Sequence, residues 1–253
     1  MRVPFFSNLM YTLGFFAKTL RGVHYFIVKG RASYKILIMQ ILFTFVEALG
    51  IASLLALGIG AAVNVIGLPF LAQLGQEQMI YPLLITIITR ELGPLLTAFI
   101  IIARSATAIA TETAGMVISH EVEAYISIGV DPIAYLGVPR FLGVTISLFL
   151  LNVYFSIFGL AGSFLVVRLF STMPASVYFG NLLEHLTIHD IAISIIKSIV
   201  LGMIISIMAV MQGFSVERAS TEIPVAGLKA VSRSFVWCIL ADILLAALYY
   251  TAF

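Results

Sequence analysis

The chain has 253 residues, 61% of them hydrophobic and only 10% charged, with a formal net charge of +2. Several apolar runs approach or exceed the roughly twenty residues that cross a bilayer, which argues against a soluble fold, and they are unbroken, which argues against the alternating strands of a membrane β-barrel. So small a net charge gives no reason to expect nucleic acid, and the single cysteine, Cys238, rules out an intrachain disulfide. An all-α polytopic membrane protein remains.

From Pro4 to Lys35 the chain mixes Phe5, Phe6, Tyr11, Phe15, Phe16, Tyr25 and Phe26 with Lys18, Arg21, Lys29, Arg31 and Lys35. Rings toward the acyl chains and cations toward anionic lipid predict an interfacial amphipathic helix over residues 1–35. A cleaved signal peptide fits less well, because the cations follow the first apolar cluster instead of preceding it. Five transmembrane spans are predicted at 36–66, 81–109, 141–167, 191–211 and 235–253. The first exceeds what a bilayer needs, so it should be tilted or broken, with Gly50, Gly58 and Gly60 as candidate break points.

An odd number of spans puts the termini on opposite sides. With the N-terminus in the cytoplasm, the N-terminal arm, the segment from Arg104 to Arg140 and the loop from Gly213 to Ser234 hold eleven of the 14 Lys and Arg residues. The external loops then hold only Arg168, an asymmetry that fixes this orientation and leaves the C-terminus outside.

Charged groups in hydrocarbon cost about 3 kcal/mol each even on lenient scales, so spans that carry them usually use them. Glu47, Arg90, Glu91, Lys197 and Asp242 are such groups; counting along the spans places Lys197 in the outer half and the others near mid-depth. Two readings stand. The charges pair with one another and set helix register, or they form a polar patch on a lipid-accepting cavity in which Arg90 and Lys197 hold an anionic headgroup. Adjacent Arg90 and Glu91 project about 100° apart on a helix and cannot share one partner. Pro94 removes the backbone bond to the Arg90 carbonyl and predicts a kink.

Residues 110–140 join the second and third spans as a cytoplasmic segment, and His120 to Arg140 within it is the longest interior stretch that does not suit lipid. It contains an amphipathic helix, with Ile118, Val122, Tyr125, Ile126 and Gly129 on one face and His120, Glu123 and Ser127 opposite. Gly129 closes it through a left-handed conformation, and Pro132 forbids continuation through Asp131. Upstream, Ala106, Ala110 and Ala114, flanked by Thr107, Thr111 and Gly115, would allow close helix contact, within the fold or between subunits.

No phosphate loop, H-E-x-x-H or G-x-S-x-G motif is present. His185 and His189, four apart beside Glu184 and Asp190, could share one helix face as a weak external metal site, though a solvated loop is the simpler reading. No catalytic residue and no metal ligand set is therefore assigned.

Together Arg90-Glu91-Leu92-Gly93-Pro94, Ala103-Arg104-Ser105-Ala106, Glu121-Val122-Glu123-Ala124, Gly129-Val130-Asp131-Pro132, Val138-Pro139-Arg140, Ile196-Lys197-Ser198, the Gly227 to Ser234 segment and Asp242 resemble the MlaE family. These are permease subunits of ABC transporters that work with MCE-domain proteins on phospholipids. The resemblance implies a bacterial inner-membrane permease, homodimeric, with an MCE-domain protein on its outer face and a cytoplasmic ATPase beneath. ATP and Mg would be bound by that partner, leaving no cofactor in this chain.

The stretch around His120, Glu121, Glu123, Ser127, Gly129, Asp131 and Pro132 would be the coupling helix between the second and third spans. Glu123-Ala124-Tyr125 followed by Gly129 matches the E-A-A-x-x-x-G loop of importers except at its third position. Glu47, Arg90, Glu91, Pro94, Lys197 and Asp242 would border the lipid pathway. Met116 to Ser119 lacks the cation that often opens this segment in the family. Two other classes remain open: an ion-coupled transporter relaying protons through Glu47, Glu91 and Asp242, disfavoured by the absence of an internal repeat, and a non-transporting membrane anchor.

Overall fold

The computed structural model describes residues 14–16, 19, 21–23, 34–170, 173–217 and 219–252. Among them there is no strand, and five helical stretches are long and apolar enough to cross a membrane: Tyr34–Gln73, Glu77–Ile118, Ile133–Leu169, Ile188–Phe214 and Glu222–Thr251. Each begins earlier than the apolar run that predicts it. Hydropathy marks where lipid is, whereas helix propensity carries the helix on through polar turns such as those holding Glu222, Lys229 and Arg233. The second stretch has 42 residues. That is about 60 Å of helix against a hydrocarbon core of about 30 Å.

The predicted interfacial helix over residues 1–35 lies largely outside the described residues. Its described parts are helical, and Phe15 and Thr19 are buried, the Thr19 hydroxyl donating to the Phe15 carbonyl at 2.9 Å. The first span is interrupted as its length suggests, but by a 3-10 turn at Val46–Ala48. Gly50, Gly58 and Gly60 all lie within the regular helix Leu49–Gln73 that follows.

The third and fourth spans form the centre. The third packs on the first and fourth, and the fourth also packs on the second and fifth. In the most apolar window of the second, third and fourth spans 56%, 50% and 56% of residues are buried, against 22% and 17% in the first and fifth. The first and fifth spans are therefore peripheral. Their outward side chains, including Phe43, Leu54, Ile66, Ile243 and Leu244, make the apolar surface that lipid or a neighbouring chain requires.

The small-residue stripe is a contact within this fold. Ala106, Ala110 and Ala114 are fully buried. A Cβ on Gly213 of the fourth span would stand 2.5 Å from Thr113 Cβ and 2.9 Å from the Ala110 carbonyl oxygen. Glycine there sets how closely the second and fourth spans approach.

Gly213→Ala should therefore force the two helices apart and cost about 1–3 kcal/mol, a lower melting temperature of the detergent-solubilised protein. Gly115→Ala, where an added methyl meets nothing within 4 Å, should leave the melting temperature unchanged or slightly raised.

Candidate functional site

Four of the sequence-selected charges converge between the second, fourth and fifth spans. Lys197 is 0% exposed; its Nζ donates to Glu91 Oε2 at 2.6 Å and lies 3.1 Å from Asp242 Oδ1. Arg90 Nε stands 3.4 Å from Glu91 Oε1, so the four charges are continuous. Arg90 also reaches Asp190 Oδ1 at 3.4 Å, donates to the Tyr250 hydroxyl at 2.5 Å, and sits 5.1 and 5.0 Å from the Tyr249 and Tyr250 ring centres. Counting Asp190, two cations face three carboxylates, a formal charge of −1. In this conformation Lys197 is enclosed and already holds two carboxylates. Of the two cations, only Arg90 retains an exposed edge.

The local backbone explains the arrangement. Ile85–Leu92 is a π-helical segment, wider than an α-helix and often found at functional positions. Pro94, where the sequence predicts a kink, lies buried in the first turn of a fresh α-helical segment, Gly93–Ile101, directly after the π-helical one. A Cβ on Gly93 would collide with the Ile88 carbonyl and come within 2.9 Å of Asn152 Oδ1, so the second span lies tightly on the third here. From this segment Arg90 and Glu91 diverge as their angular offset requires, Arg90 toward Asp190 and Glu91 toward Lys197.

The helix ends show which half of the bundle the cluster occupies. Asp190 lies in the first turn of the fourth span and Tyr250 at the end of the fifth, and both meet Arg90. The cluster therefore occupies the bundle half away from the His120 stretch, where the sequence reading puts Lys197. Glu47 is not part of it. In the opposite half Glu47 pairs with Arg104, Nη2 to Oε2 at 2.5 Å, while Arg104 Nη1 donates to the Glu47 carbonyl. Arg104 itself, within the predicted span but counted with the cytoplasmic charges, is inside a second π-helical segment, Ile102–Ala106, and the helix continues to Ile118.

The stretch expected to hold the coupling helix contains one short helix, Glu121–Ser127, with no buried residue. Ile118 belongs to the preceding helix, so it is not on this one. His120 is not on its polar face but at its corner, with φ 61, hydrogen-bonded to Glu123 at 2.9 Å. Gly129 closes the helix with φ 79, Asp131 Oδ1 accepts from the Ile133 N–H at 3.0 Å, and Pro132 is buried. Val122 and Tyr125 face inward, Tyr125 packing on Tyr135, while Ile126 and Ile128 are exposed.

His185 and His189 do not share a helix face. The helix Ala175–His185 ends at His185, Leu186 and Thr187 are extended, and His189 belongs to the next helix. His185 stacks on Tyr81 at 5.9 Å. Beneath it, outside the spans, Tyr178 is buried against Tyr81, Phe164 and Phe179, and burial pushes its phenol above the usual tyrosine range.

Sequence reasoning missed four participants. Asp190 was legible in Thr187-Ile188-His189-Asp190, a capping box that the structure forms: Asp190 Oδ2 accepts from the Thr187 N–H at 3.2 Å, and Thr187 Oγ1 from the Asp190 N–H at 3.3 Å. Tyr249 and Tyr250 had only the signal of an aromatic pair at a span end. Arg140 carried a family motif but no assigned role; it is buried at the start of the third span, donating to Thr113 Oγ1 at 3.1 Å and pairing with Glu112 at 3.0 Å.

Five spanning helices, buried charges among three of them and a short exposed helix at one end define a multi-pass membrane permease. The chain belongs to the MlaE permease family, whose description, Permease MlaE, matches residues 37–248. It is 26% identical over 224 residues to a "Probable ABC transporter permease protein" of Rickettsia prowazekii, covering 88% of this chain and 86% of that one. It is 26% identical over 224 residues to the chloroplastic protein TRIGALACTOSYLDIACYLGLYCEROL 1 of Arabidopsis thaliana, covering 88% of this chain and 64% of that one. It is 24% identical over 223 residues to the intermembrane phospholipid transport system permease protein MlaE of Haemophilus influenzae, covering 88% and 85%.

Removing the enclosed cation leaves two carboxylates facing each other, so Lys197→Met should destabilise the solubilised protein by about 3–5 kcal/mol. Adding Glu91→Gln and Asp242→Asn to Lys197→Met should recover most of that loss in thermal unfolding, because the triple variant leaves no unpaired charge at this position.

Proposed function

We propose that this chain is the permease subunit of an ABC transporter that moves phospholipid between membranes. It works as a homodimer in a bacterial inner membrane, with a separate cytoplasmic ATPase that binds ATP and Mg and an MCE-domain protein on the outer face. The observation that carries the reading is the family match over residues 37–248. The phospholipid named for the Haemophilus influenzae relative supports the cargo, and the "ABC transporter permease" of the Rickettsia relative supports the ATPase. The concentration of Lys and Arg in the N-terminal arm and the His120 and Gly213 segments supports a cytoplasmic N-terminus and a periplasmic C-terminus.

In this reading the helix Glu121–Ser127 docks on the ATPase. Ile126 and Ile128 offer apolar contact beside Glu121 and Glu123, and the left-handed residues His120 and Gly129 set its attitude. A push passes into both flanking spans, because the Arg140 guanidinium ties the start of the third span to Glu112 and Thr113 of the second. The second span carries the displacement to its other π-helical segment, where Arg90 and Glu91 sit. The charge cluster with Pro94 then borders the lipid path as a latch. Arg90 exchanges Asp190 for a headgroup phosphate, which the adjacent Tyr249 and Tyr250 rings flank, while Lys197 holds Glu91 and Asp242 together.

Affinity purification of the tagged chain with mass spectrometry of proteins and lipids should recover an ABC ATPase, an MCE-domain protein and phospholipid. Absence of the ATPase would contradict the reading. Glu123→Lys should lower ATPase association by at least about tenfold, equivalent to about 1.4 kcal/mol, while leaving the permease folded in the membrane. Unchanged coupled turnover in that variant would remove the role given to this helix.

A further inference from the structure

The Glu47–Arg104 pair is not explained by the outer cluster. Its side chains are 48% and 37% exposed, in contrast to the enclosed Lys197. Around it Phe43, Val46 and Ile51 are exposed and apolar, and the small exposed residues Ala103 and Ala108 leave room beside the guanidinium. Both partners sit on helix irregularities. The 3-10 turn Val46–Ala48 interrupts the regular ladder, allowing the Glu47 carbonyl to accept from Arg104, and the π-helical segment Ile102–Ala106 presents Arg104. Irregular backbone meeting irregular backbone around an exposed charge pair is a built site.

Its depth is informative. Arg104 is 14 positions before Ile118, and Glu47 pairs with it. The pair is therefore about 20 Å along the second span from the end that carries the short helix Glu121–Ser127. With a hydrocarbon core of about 30 Å centred on helices of about 60 Å, the pair lies about 5 Å inside the cytoplasmic boundary, within reach of headgroups. Acyl chains alone would leave both charges poorly solvated.

We infer that Glu47 and Arg104 form a second headgroup station, in the cytoplasmic leaflet, for a zwitterionic phospholipid; this rests on the phospholipid reading above. The phosphate takes the two Arg104 Nη donors now held by Glu47, and the headgroup ammonium takes the freed Glu47 carboxylate and carbonyl. The exchange conserves charge pairing on both sides. An anionic headgroup without an amine would satisfy Arg104 and leave Glu47 unpaired against a phosphate, so the site selects against it. Arg90 and Arg104 are 14 positions apart on one span, placing the two stations about 21 Å from each other, one near each leaflet surface.

The test uses the purified full-length permease equilibrated with equal amounts of phosphatidylethanolamine and phosphatidylglycerol, with bound lipid counted by native mass spectrometry. The wild type should retain phosphatidylethanolamine preferentially. Glu47→Gln should lower that preference about tenfold, and Arg104→Gln should reduce retention of both lipids. The exchanged variant, Glu47→Arg with Arg104→Glu, should restore the preference and serves as the folding control. Preference unchanged in both single variants overturns the station, and a dimer-to-monomer shift with lipid unchanged assigns the pair to an interface between copies instead. Phospholipid lost in Arg90→Gln but not in these variants would refute only this inference; a wild type that retains none would refute the phospholipid reading itself.

Discussion

A fully enclosed lysine in a membrane span is the constraint on which the half of this fold away from the His120 stretch depends. Lys197 has no route to solvent, so its charge is tolerable only while Glu91 and Asp242 both touch it. Those carboxylates come from two other spans, and the cation therefore fixes the second, fourth and fifth spans relative to one another. Hydrophobic packing could not do this alone, because lipid tails solvate Leu and Ile as well as another helix does. Close glycine contacts add the steric half: Gly213 on Thr113, and Gly93 on Asn152.

The same span holds charges at two depths, each on a π-helical segment. Such segments change register at low cost in backbone bonds, so a long helix can shift at these points without unfolding. At one end of the span the Arg140 tie binds it to the third span; at the other, Arg90 binds it to Asp190 and Tyr250. A displacement imposed at the first end therefore arrives at ion pairs that have discrete alternative partners. That is the property a transporter needs between an energy input and a gate.

The class and the number of spans were legible because unbroken apolar runs reflect a lipid solvent, and the MlaE likeness was legible because several motifs recur in order. Which charges meet was not. Glu47 read as one of five similar intramembrane charges, yet it lies in the opposite half from Lys197 and takes Arg104, a residue inside the predicted span 81–109 that the charge count assigns to the cytoplasmic segment. Helices extend past their apolar runs, so counting inward from run ends could not show which half of the bundle each charge shares with its partner. Asp190 was hidden in plain sight as a cap. His120 was read by helical periodicity, but a left-handed corner resets the phase, and the helix begins only at Glu121.

The central claim is that the second span moves relative to the fifth when the end carrying the helix Glu121–Ser127 is driven. The most direct measurement is the spin-label distance between Met79→Cys and Leu248→Cys, both exposed positions, in a Cys238→Ser background with the ATPase bound. The account predicts that the distance distribution shifts by several ångströms between the nucleotide-free and nucleotide-trapped states. An unchanged distribution in a complex that still turns over ATP would contradict it.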